Sequence, residues 1–287
     1  STDLAIFNGD YPVTLPHVCG HEFTGIVKQI GQGVNSKWLG KTVTAEINNT
    51  CIAYNRKSFC SACKNGLSSH CLERTVTGII QHSGAFAEEI AVAAGTLHEI
   101  PHSVGPLTAT LAEPLAAALQ TFNMSPITRE ETIVVLGPGR LGILIVFIAA
   151  LKGLKVLAVS RSEAKRDRAL DYGAIWTCSP DEVEVLIRKN TKGLGADLVI
   201  DTTGSPDGIT QALKLVRPRG TVCCKTTCGL PPPTGLDMIS LVVDEVRLQG
   251  SRCGPFEPAL EILKTHHHKL KHLITSTRPL EETQAAL

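Results

Sequence analysis

Four cysteines lie close together in a stretch that offers little to an apolar core. Their spacing is C-x8-C-x2-C-x7-C, and many of the residues between them are small or polar. Four thiolates can form a closed tetrahedral zinc site, and the bound ion would order a segment with little apolar content of its own. We therefore expect structural zinc in the lobe 51–71, with reduced surface thiols as the alternative. The cysteines are Cys51, Cys60, Cys63 and Cys71.

A glycine-rich motif suggests a second ligand. Residues 137–142 read Gly-Pro-Gly-Arg-Leu-Gly, which fits G-x-G-x-x-G, between a strand-like run and an apolar helical pattern. In that setting the three glycines allow a tight turn, the approach of a pyrophosphate to the backbone, and close helix–strand packing. The motif predicts a dinucleotide site, with an ordinary glycine-rich turn as the alternative. The residues concerned are Gly137, Gly139, Arg140, Leu141 and Gly142.

The end of the following strand bears on which dinucleotide binds. An NAD site usually places an acidic residue there, on the ribose 2′-hydroxyl. Here residues 160–162 are Ser-Arg-Ser, and Lys165 and Arg166 follow on the next predicted helix. The guanidinium of Arg161 can bind a 2′-phosphate through two charge-assisted hydrogen bonds. We therefore expect NADP(H) in preference to NAD(H), with Ser160, Arg161 and Lys165 at the site; a merely solvated Arg161 would allow both.

The pattern of predicted secondary structure divides the chain into two parts. The first 125 residues are rich in Gly, Thr and Val, and turn signals separate their short β-type runs, which predicts an irregular antiparallel β domain. From residue 133, apolar strand-like runs alternate with helical ones, which predicts a doubly wound α/β domain with a parallel sheet. We expect domains at 1–125 and 126–268, with residues 269–287 returning to the first domain.

Particular elements follow from the same patterns. In the first domain we expect strands at 24–30, 41–47 and 86–92 and a helix at 107–122. In the second we expect strands at 133–136, 155–160, 174–178, 197–201, 221–225 and 246–250, and helices at 140–152, 163–172, 181–190, 206–216 and 257–264. Residues 271–287 resemble a strand followed by the start of a helix. The His266–His268 tract resembles a solvated helix end.

Composition excludes several classes of function. The chain has 287 residues, with 28 Lys+Arg against 27 Asp+Glu and a formal net charge of +1. Nucleic-acid binding requires a basic surface, so this balance gives it no support. The longest apolar run, residues 141–151, is too short to span a membrane. With no secretory signal and 10 cysteines, we expect reduced thiols and a cytoplasmic location.

Taken in order, these motifs resemble the zinc-dependent medium-chain dehydrogenase/reductases, the family of alcohol and polyol dehydrogenases. The resemblance covers nearly the whole chain. It rests on Gly-His-Glu at 20–22, the four-cysteine lobe, Glu-Pro-Leu-Ala at 113–116, the glycine motif, and Asp-Thr-Thr-Gly-Ser at 201–205. It implies a chaperonin-10-like β-barrel catalytic domain and a Rossmann domain. It also implies a homodimer or homotetramer, with residues 246–250 resembling the pairing strand.

The resemblance also assigns roles around a catalytic zinc. His21 matches a metal ligand, Glu22 the third ligand of polyol-dehydrogenase-like members, and Glu113 a carboxylate that binds the zinc directly or through water. Thr2 would be the proton-relay hydroxyl, and Asp3 the partner that orients His21. Thr203 would contact the cofactor.

Two departures from the family pattern affect these expectations. The catalytic cysteine would stand one residue before Ser1, and the family's first strands and usual C-terminal end are missing, so the chain resembles a piece truncated at both ends. A depleted zinc site, or Cys19 as a substitute ligand, are the alternatives. The first spacer of the cysteine lobe is eight residues, where the family commonly has two.

The expected function is zinc-dependent transfer of a hydride between an alcohol or polyol and NADP(H), on a small-molecule substrate. Two alternatives remain open: a zinc-free reductase of the quinone or enoyl type, and a catalytically silent dinucleotide-binding protein. The candidate ligands His21, Glu22 and Glu113 argue against the zinc-free reductase, because such an enzyme does not need them. Measuring the metal content distinguishes it from the zinc-dependent enzyme.

Overall fold

The computed structural model describes residues 2–226 and 235–286. They form two compact units. One comprises the described residues up to Ala116 and from Pro255 onward, and the other runs from Ala117 to Gly254. The sequence had suggested boundaries at 125 and 268. The later boundary differs because the helix that begins at Phe256 packs within the first unit, against the short helix at Pro106–Ala109.

The strands of the first unit are short and antiparallel. One sheet has the order β1-β2-β5, and β3 pairs with β4. No strand forms at 86–92, contrary to expectation, because the amides at its start bind elsewhere: Phe86 N–H donates to the Cys19 carbonyl and Ala85 N–H to that of Gly20. The strands are β1 Gly25–Ile26, β2 Thr42–Ala45, β3 Asn48–Asn49, β4 Thr75–Val76 and β5 Leu97–Glu99.

Helices in the first part of the chain are brief, apart from α4. The single helix expected at 107–122 is split into α3 and α4, because Pro114 has no N–H with which to continue the hydrogen-bond ladder of the preceding turn. Within α4, Pro114 lies in the first turn, where a missing N–H costs little. The helices are α1 Thr2–Phe7, α2 Ser61–Lys64, α3 Pro106–Ala109 and α4 Ala112–Met124.

The second unit contains a six-stranded parallel sheet of order β11-β10-β9-β6-β7-β8. The chain enters at the central strand β6, builds outward to β8, and then crosses back to β9, so the order reverses between β6 and β9. Ligands of doubly wound sheets bind at the carboxyl ends of the strands beside such a reversal. The strands are β6 Thr132–Leu136, β7 Lys155–Val159, β8 Trp176–Cys178, β9 Ala196–Asp201, β10 Val216–Cys224 and β11 Arg247–Gly250.

Helices follow most of these strands. In α5 every side chain from Ile143 to Ala149 is buried, as expected of an apolar helix in a covered α/β layer. The expected elements of this unit are all present, with shifts at their ends; β10 begins at Val216 and crosses a register shift before Thr221. The helices are α5 Arg140–Leu151, α6 Glu163–Asp171, α7 Val183–Asn190, α8 Gly208–Leu215 and α9 Met238–Val243.

The chain then returns to the first unit through α10 Phe256–Leu270 and ends its described part in α11 Thr283–Ala286. His266–His268 lie near the end of α10 and are half-exposed or exposed, as expected. The strand expected within 271–287 does not form among the described residues of that range, because local turns use its backbone groups: Ile274 N–H donates to Lys271 O, and Glu282 N–H to Pro279 O. Across the described ranges, none of the helices combines the length and apolar character needed to cross a bilayer.

Candidate functional site

The four cysteines of the lobe converge on one point. Cys51 Sγ lies 3.2 Å from Cys71 Sγ and 3.6 Å from Cys63 Sγ, and Cys60 Sγ lies 3.7 Å from Cys71 Sγ. These separations are far longer than a disulfide bond of about 2.0 Å. They approach the edge of about 3.8 Å in a zinc–thiolate tetrahedron with bonds of about 2.3 Å. The donor set therefore fits one tetrahedral zinc ion.

Backbone amides support charge on these sulfurs. Cys51 N–H donates to Cys71 Sγ, Cys60 N–H to Cys51 Sγ, and Leu72 N–H to Cys60 Sγ, over 3.4–3.5 Å. Hydrogen bonds from the amides of Cys63 and Leu72 lower the pKa of Cys60 to about 6. Burial and the neighbouring sulfurs raise the pKa of Cys63 to about 12. Four ionised thiols at this spacing thus require a cation between them.

A second cluster joins His21, Glu22 and Glu113. Each can offer one ligand atom such that all three atoms lie within 4.8 Å of one another. His21 is buried, Glu22 is exposed, and Glu113 is half-buried at the start of α4. Zinc with nitrogen and oxygen ligands at about 2.0–2.2 Å separates them by about 3.4 Å, so the three atoms lie close enough together to face one ion. Cys19 lies outside this cluster.

Asp3 contacts the Nδ1 side of the His21 imidazole. Its Oδ1 lies 3.2 Å from His21 Nδ1 and accepts a 2.9 Å hydrogen bond from the Gly20 N–H. With Nδ1 as the donor, Nε2 keeps the lone pair that a metal needs. Burial opposes charge on both groups, but their mutual attraction outweighs it, so the pKa of Asp3 is lowered and that of His21 is raised. Glu113 and Glu22 add to the rise in the pKa of His21.

The backbone before His21 is tightly enclosed. Gly20 has φ +96°, a conformation that favours glycine, and a Cβ there would lie 2.8 Å from the Phe86 backbone nitrogen. A side chain at Gly78 or Gly84 would collide with the carbonyl groups of residues 19–20. Residues 78–86 therefore fix the direction in which His21 leaves the backbone. Thr2 directly precedes Asp3 on α1 and is half-buried.

The glycine turn lies at the carboxyl end of β6. Gly137 has φ +80°, and its N–H donates to Val159 O over 3.0 Å. A Cβ on Gly142 would overlap the Gly137 carbonyl and lie 2.7 Å from Thr202 Oγ1. A Cβ on Gly139 would have only the Gly137 carbonyl oxygen, at 3.9 Å, within 4 Å, so the backbone at the N-terminus of α5 is open. This cradle fits a pyrophosphate, which the exposed first-turn amides of a helix attract.

Thr202 is a member of this site that sequence reasoning missed. Its Oγ1 lies 2.8 Å from Leu136 O and 2.5 Å from Gly137 O and donates its proton to them, so the start of the turn is fixed to the end of β9. Thr203, which was expected at the site, donates from both its amide and its hydroxyl to Asp201 Oδ1. The sequence signal that could have identified Thr202 is the Asp-Thr-Thr-Gly-Ser run at 201–205.

The basic residues after β7 fall into two groups. Arg161 and Lys165 are exposed. Arg166 is half-buried, and its guanidinium binds the backbone carbonyls of Ser160 and Arg161. The structure therefore leaves two cations open to a ligand and turns the third toward the protein itself.

Comparisons with known proteins identify similar domains and relatives. The family model for the alcohol dehydrogenase GroES-like domain matches residues 1–102, and the one for zinc-binding dehydrogenase matches residues 141–265. Sorbitol dehydrogenase of Halalkalibacterium halodurans is 28% identical over 292 residues, covering 99% of this chain and 83% of its own length. L-threonine 3-dehydrogenase of Bacillus subtilis is 30% identical over 294 residues, covering 98% and 82%.

A solved structure extends the likeness to the fold. A chain from Sinorhizobium meliloti 1021, described as a zinc-binding dehydrogenase and bound to NADP, matches with a TM-score of 0.84 and 28% identity. The match covers 99% of this chain and 83% of that one. The two-unit architecture with a GroES-like domain and a parallel dinucleotide-binding sheet is therefore shared along the matched length.

Replacing one thiol tests the cysteine lobe. We expect Cys60→Ser to lose about one zinc ion per chain, measured by plasma emission spectrometry, because a closed site needs all four thiolates. We also expect its melting temperature to fall by roughly 5–10 °C, because the ion orders the lobe. Cys253→Ser, outside the lobe, is the matched control and should keep both values. Unchanged zinc content in Cys60→Ser would contradict this assignment.

Proposed function

Because the chain belongs to the zinc-binding dehydrogenase family, it is an oxidoreductase, and we propose that it transfers a hydride between an alcohol or polyol and NADP(H). The observation that carries the proposal is the cluster of His21, Glu22 and Glu113, backed by Asp3. The relatives named sorbitol dehydrogenase and L-threonine 3-dehydrogenase support a substrate with a secondary hydroxyl.

Two groups would supply the reactive chemistry. When bound, zinc provides a Lewis acid that favours the deprotonated alcohol, and the nicotinamide provides the hydride acceptor. His21, Glu22 and Glu113 would hold the zinc, and Cys51, Cys60, Cys63 and Cys71 would hold a second, structural ion. Gly137, Gly139 and Gly142, with the amides of Arg140 and Leu141, would hold the pyrophosphate, and Thr203 would contact the cofactor.

Residues of the chain would orient the metal ligand His21 and transfer the proton of the alcohol. Asp3 keeps His21 in one ring orientation, so that metal binding does not have to fix the imidazole. Thr2 Oγ1 would accept the proton of the alcohol and pass it toward solvent, as a hydroxyl can donate and accept at once. Glu113 contributes negative charge that favours a bound cation.

We expect Glu113→Gln to lower kcat/KM for alcohol oxidation by about 10- to 100-fold, since weakened metal ligation usually costs that much. The assay is NADP-linked oxidation of sorbitol, threonine and 2,3-butanediol, with zinc analysis of each sample. Glu89→Gln, an exposed residue paired with Lys28, is the control and should be unchanged. Full activity after complete zinc removal by a chelator would instead indicate a zinc-free reductase, and dinucleotide binding without turnover a silent protein.

The preference for NADP(H) rests on the turn after β7. Residues 160–162 carry no acid, the Ser160 hydroxyl accepts from the Ser162 N–H, and Arg161 and Lys165 are exposed beside it. A ribose 2′-phosphate would find two cations and a hydroxyl there, whereas a 2′-hydroxyl would lack the carboxylate that usually binds it. The NADP bound to the Sinorhizobium meliloti chain is consistent with this choice.

Arg161→Ala should lower kcat/KM with NADPH by roughly 10- to 100-fold, because a hydrogen bond between charged groups contributes about 1.5–3 kcal/mol. With NADH the value should stay within about twofold, since no phosphate meets the guanidinium. Arg219→Ala, at an exposed ion pair with Glu245, serves as control. A wild-type protein that prefers NADH would refute the proposed cofactor.

We also propose that the protein is a homodimer or homotetramer that associates through β11. This strand is the edge of the six-stranded sheet, and most of its residues are exposed. Beside it in sequence, α9 exposes four large apolar side chains: Met238, Ile239, Val242 and Val243. An uncovered strand edge next to such a patch is a template for pairing with a second copy.

Val242→Asp should weaken self-association by about tenfold or more in sedimentation velocity, because it places a charge in an apolar interface. Val185→Asp, at a similarly exposed position on α7, should leave the association unchanged. A monomeric wild-type protein at micromolar concentration would exclude the proposed assembly.

A further inference from the structure

The turn that joins β7 to α6 is held by hydrogen bonds within the turn and to the end of β8. The Ser160 N–H donates to the Cys178 carbonyl at the end of β8 over 3.0 Å. The Ser162 N–H donates to Ser160 Oγ over 3.2 Å. These bonds fix both ends of the turn, but they leave the carbonyl groups of Ser160 and Arg161 to be satisfied by another donor.

Arg166 supplies that donor. Its Nη1 lies 2.8 Å from the Ser160 carbonyl oxygen and 3.2 Å from that of Arg161. Arg166 is half-buried, whereas Arg161 and Lys165, which both precede it in the sequence, are exposed. One guanidinium therefore binds both carbonyls of the turn from the protein side.

Two titratable groups at and after the end of β8 lie within electrostatic range of Arg166. Hydrogen bonds from Ser179 and then the charge of Arg166 lower the pKa of Glu182. Burial raises the pKa of Cys178 to about 11, while Arg166 acts in the opposite direction. The charge of the guanidinium thus reaches groups at the carboxyl end of β8 as well as the turn that it binds.

Free carbonyl oxygens at this turn would repel an anion bound there. Carbonyl oxygens carry partial negative charge and repel a phosphate, while amides and cationic side chains attract it. By binding both carbonyl oxygens, Arg166 offsets their charge and fixes the backbone that carries Arg161.

We propose that Arg166 is the positioning residue for the 2′-phosphate of NADP(H): it binds the turn rather than the phosphate, and it acts through Arg161. This inference rests on the proposed preference for NADP(H). Arg161 would make the direct contact, and Arg166 would determine whether Arg161 and the Ser160 hydroxyl stand where that contact forms.

Two small probes that differ by one phosphate isolate the effect. Calorimetry gives the dissociation constants of 2′,5′-ADP and 5′-AMP for wild type, Arg166→Met, Arg161→Ala and the double variant. We expect Arg166→Met to weaken 2′,5′-ADP by about tenfold and 5′-AMP by less than about twofold. In the double variant the loss should be clearly smaller than the product of the two single losses, because one residue acts through the other.

A structural readout accompanies the binding data. Amide hydrogen exchange at residues 160–164 should become faster in Arg166→Met, because the turn has lost its clamp. Arg168→Met, an exposed arginine on the same helix, is the matched control and should change neither binding nor exchange. Arg166→Gln, which keeps one donor, replaces Arg166→Met if that variant fails to fold, and should show a smaller effect in the same direction.

Different results would refute the positioning role of Arg166 and the preference for NADP(H). Losses that multiply in the double variant, with unchanged exchange at the turn, would make Arg166 a direct phosphate ligand and overturn the positioning role. Unchanged 2′,5′-ADP binding in Arg166→Met would overturn it as well. Equal binding of the two probes by the wild type would refute the NADP(H) preference itself, and the role of Arg166 with it.

Discussion

Repulsion between like charges at short range is the constraint on which both metal clusters depend. Four sulfurs with separations of 3.2–3.7 Å cannot all ionise beside one another. Glu22 and Glu113 stand close to each other beside His21. A divalent cation removes the conflict in each case. Amide donors already support charge on the sulfurs, and Asp3 already fixes the ring of His21 through Nδ1. The lobe would thereby gain a core that its side chains do not supply.

The dinucleotide-binding unit follows a different principle, which is access to the backbone. Close packing of Gly142 on the Gly137 carbonyl and of Thr202 on the same turn brings β6, α5 and β9 together at one edge of the sheet. Side chains are excluded there, so the amides of α5 stay open to an anion. At the next turn, Arg166 offsets the carbonyl charge that would otherwise oppose a phosphate. Both turns serve one purpose, which is to present hydrogen-bond donors and to conceal acceptors.

Much of this arrangement was predictable from sequence, because it depends on local pattern. Apolar runs such as residues 133–136 predict buried parallel strands, and the cysteine spacing predicts a converging lobe. The strand expected at 86–92 failed because its first amides bind residues 19–20, a long-range contact that no local pattern reports. The split between α3 and α4 was readable from Pro114 in principle. The orientation of Arg166 could not be predicted, since an arginine on a first helical turn can face a ligand or its own backbone equally well.

Anomalous diffraction shows whether the protein binds two zinc ions through two different sets of ligands. Data collected on both sides of the zinc absorption edge from crystals of the purified protein locate every bound zinc ion. We expect two peaks, one enclosed by the four sulfurs of the lobe and one between His21, Glu22 and Glu113. A single peak in the lobe, or none at either cluster, would contradict this expectation.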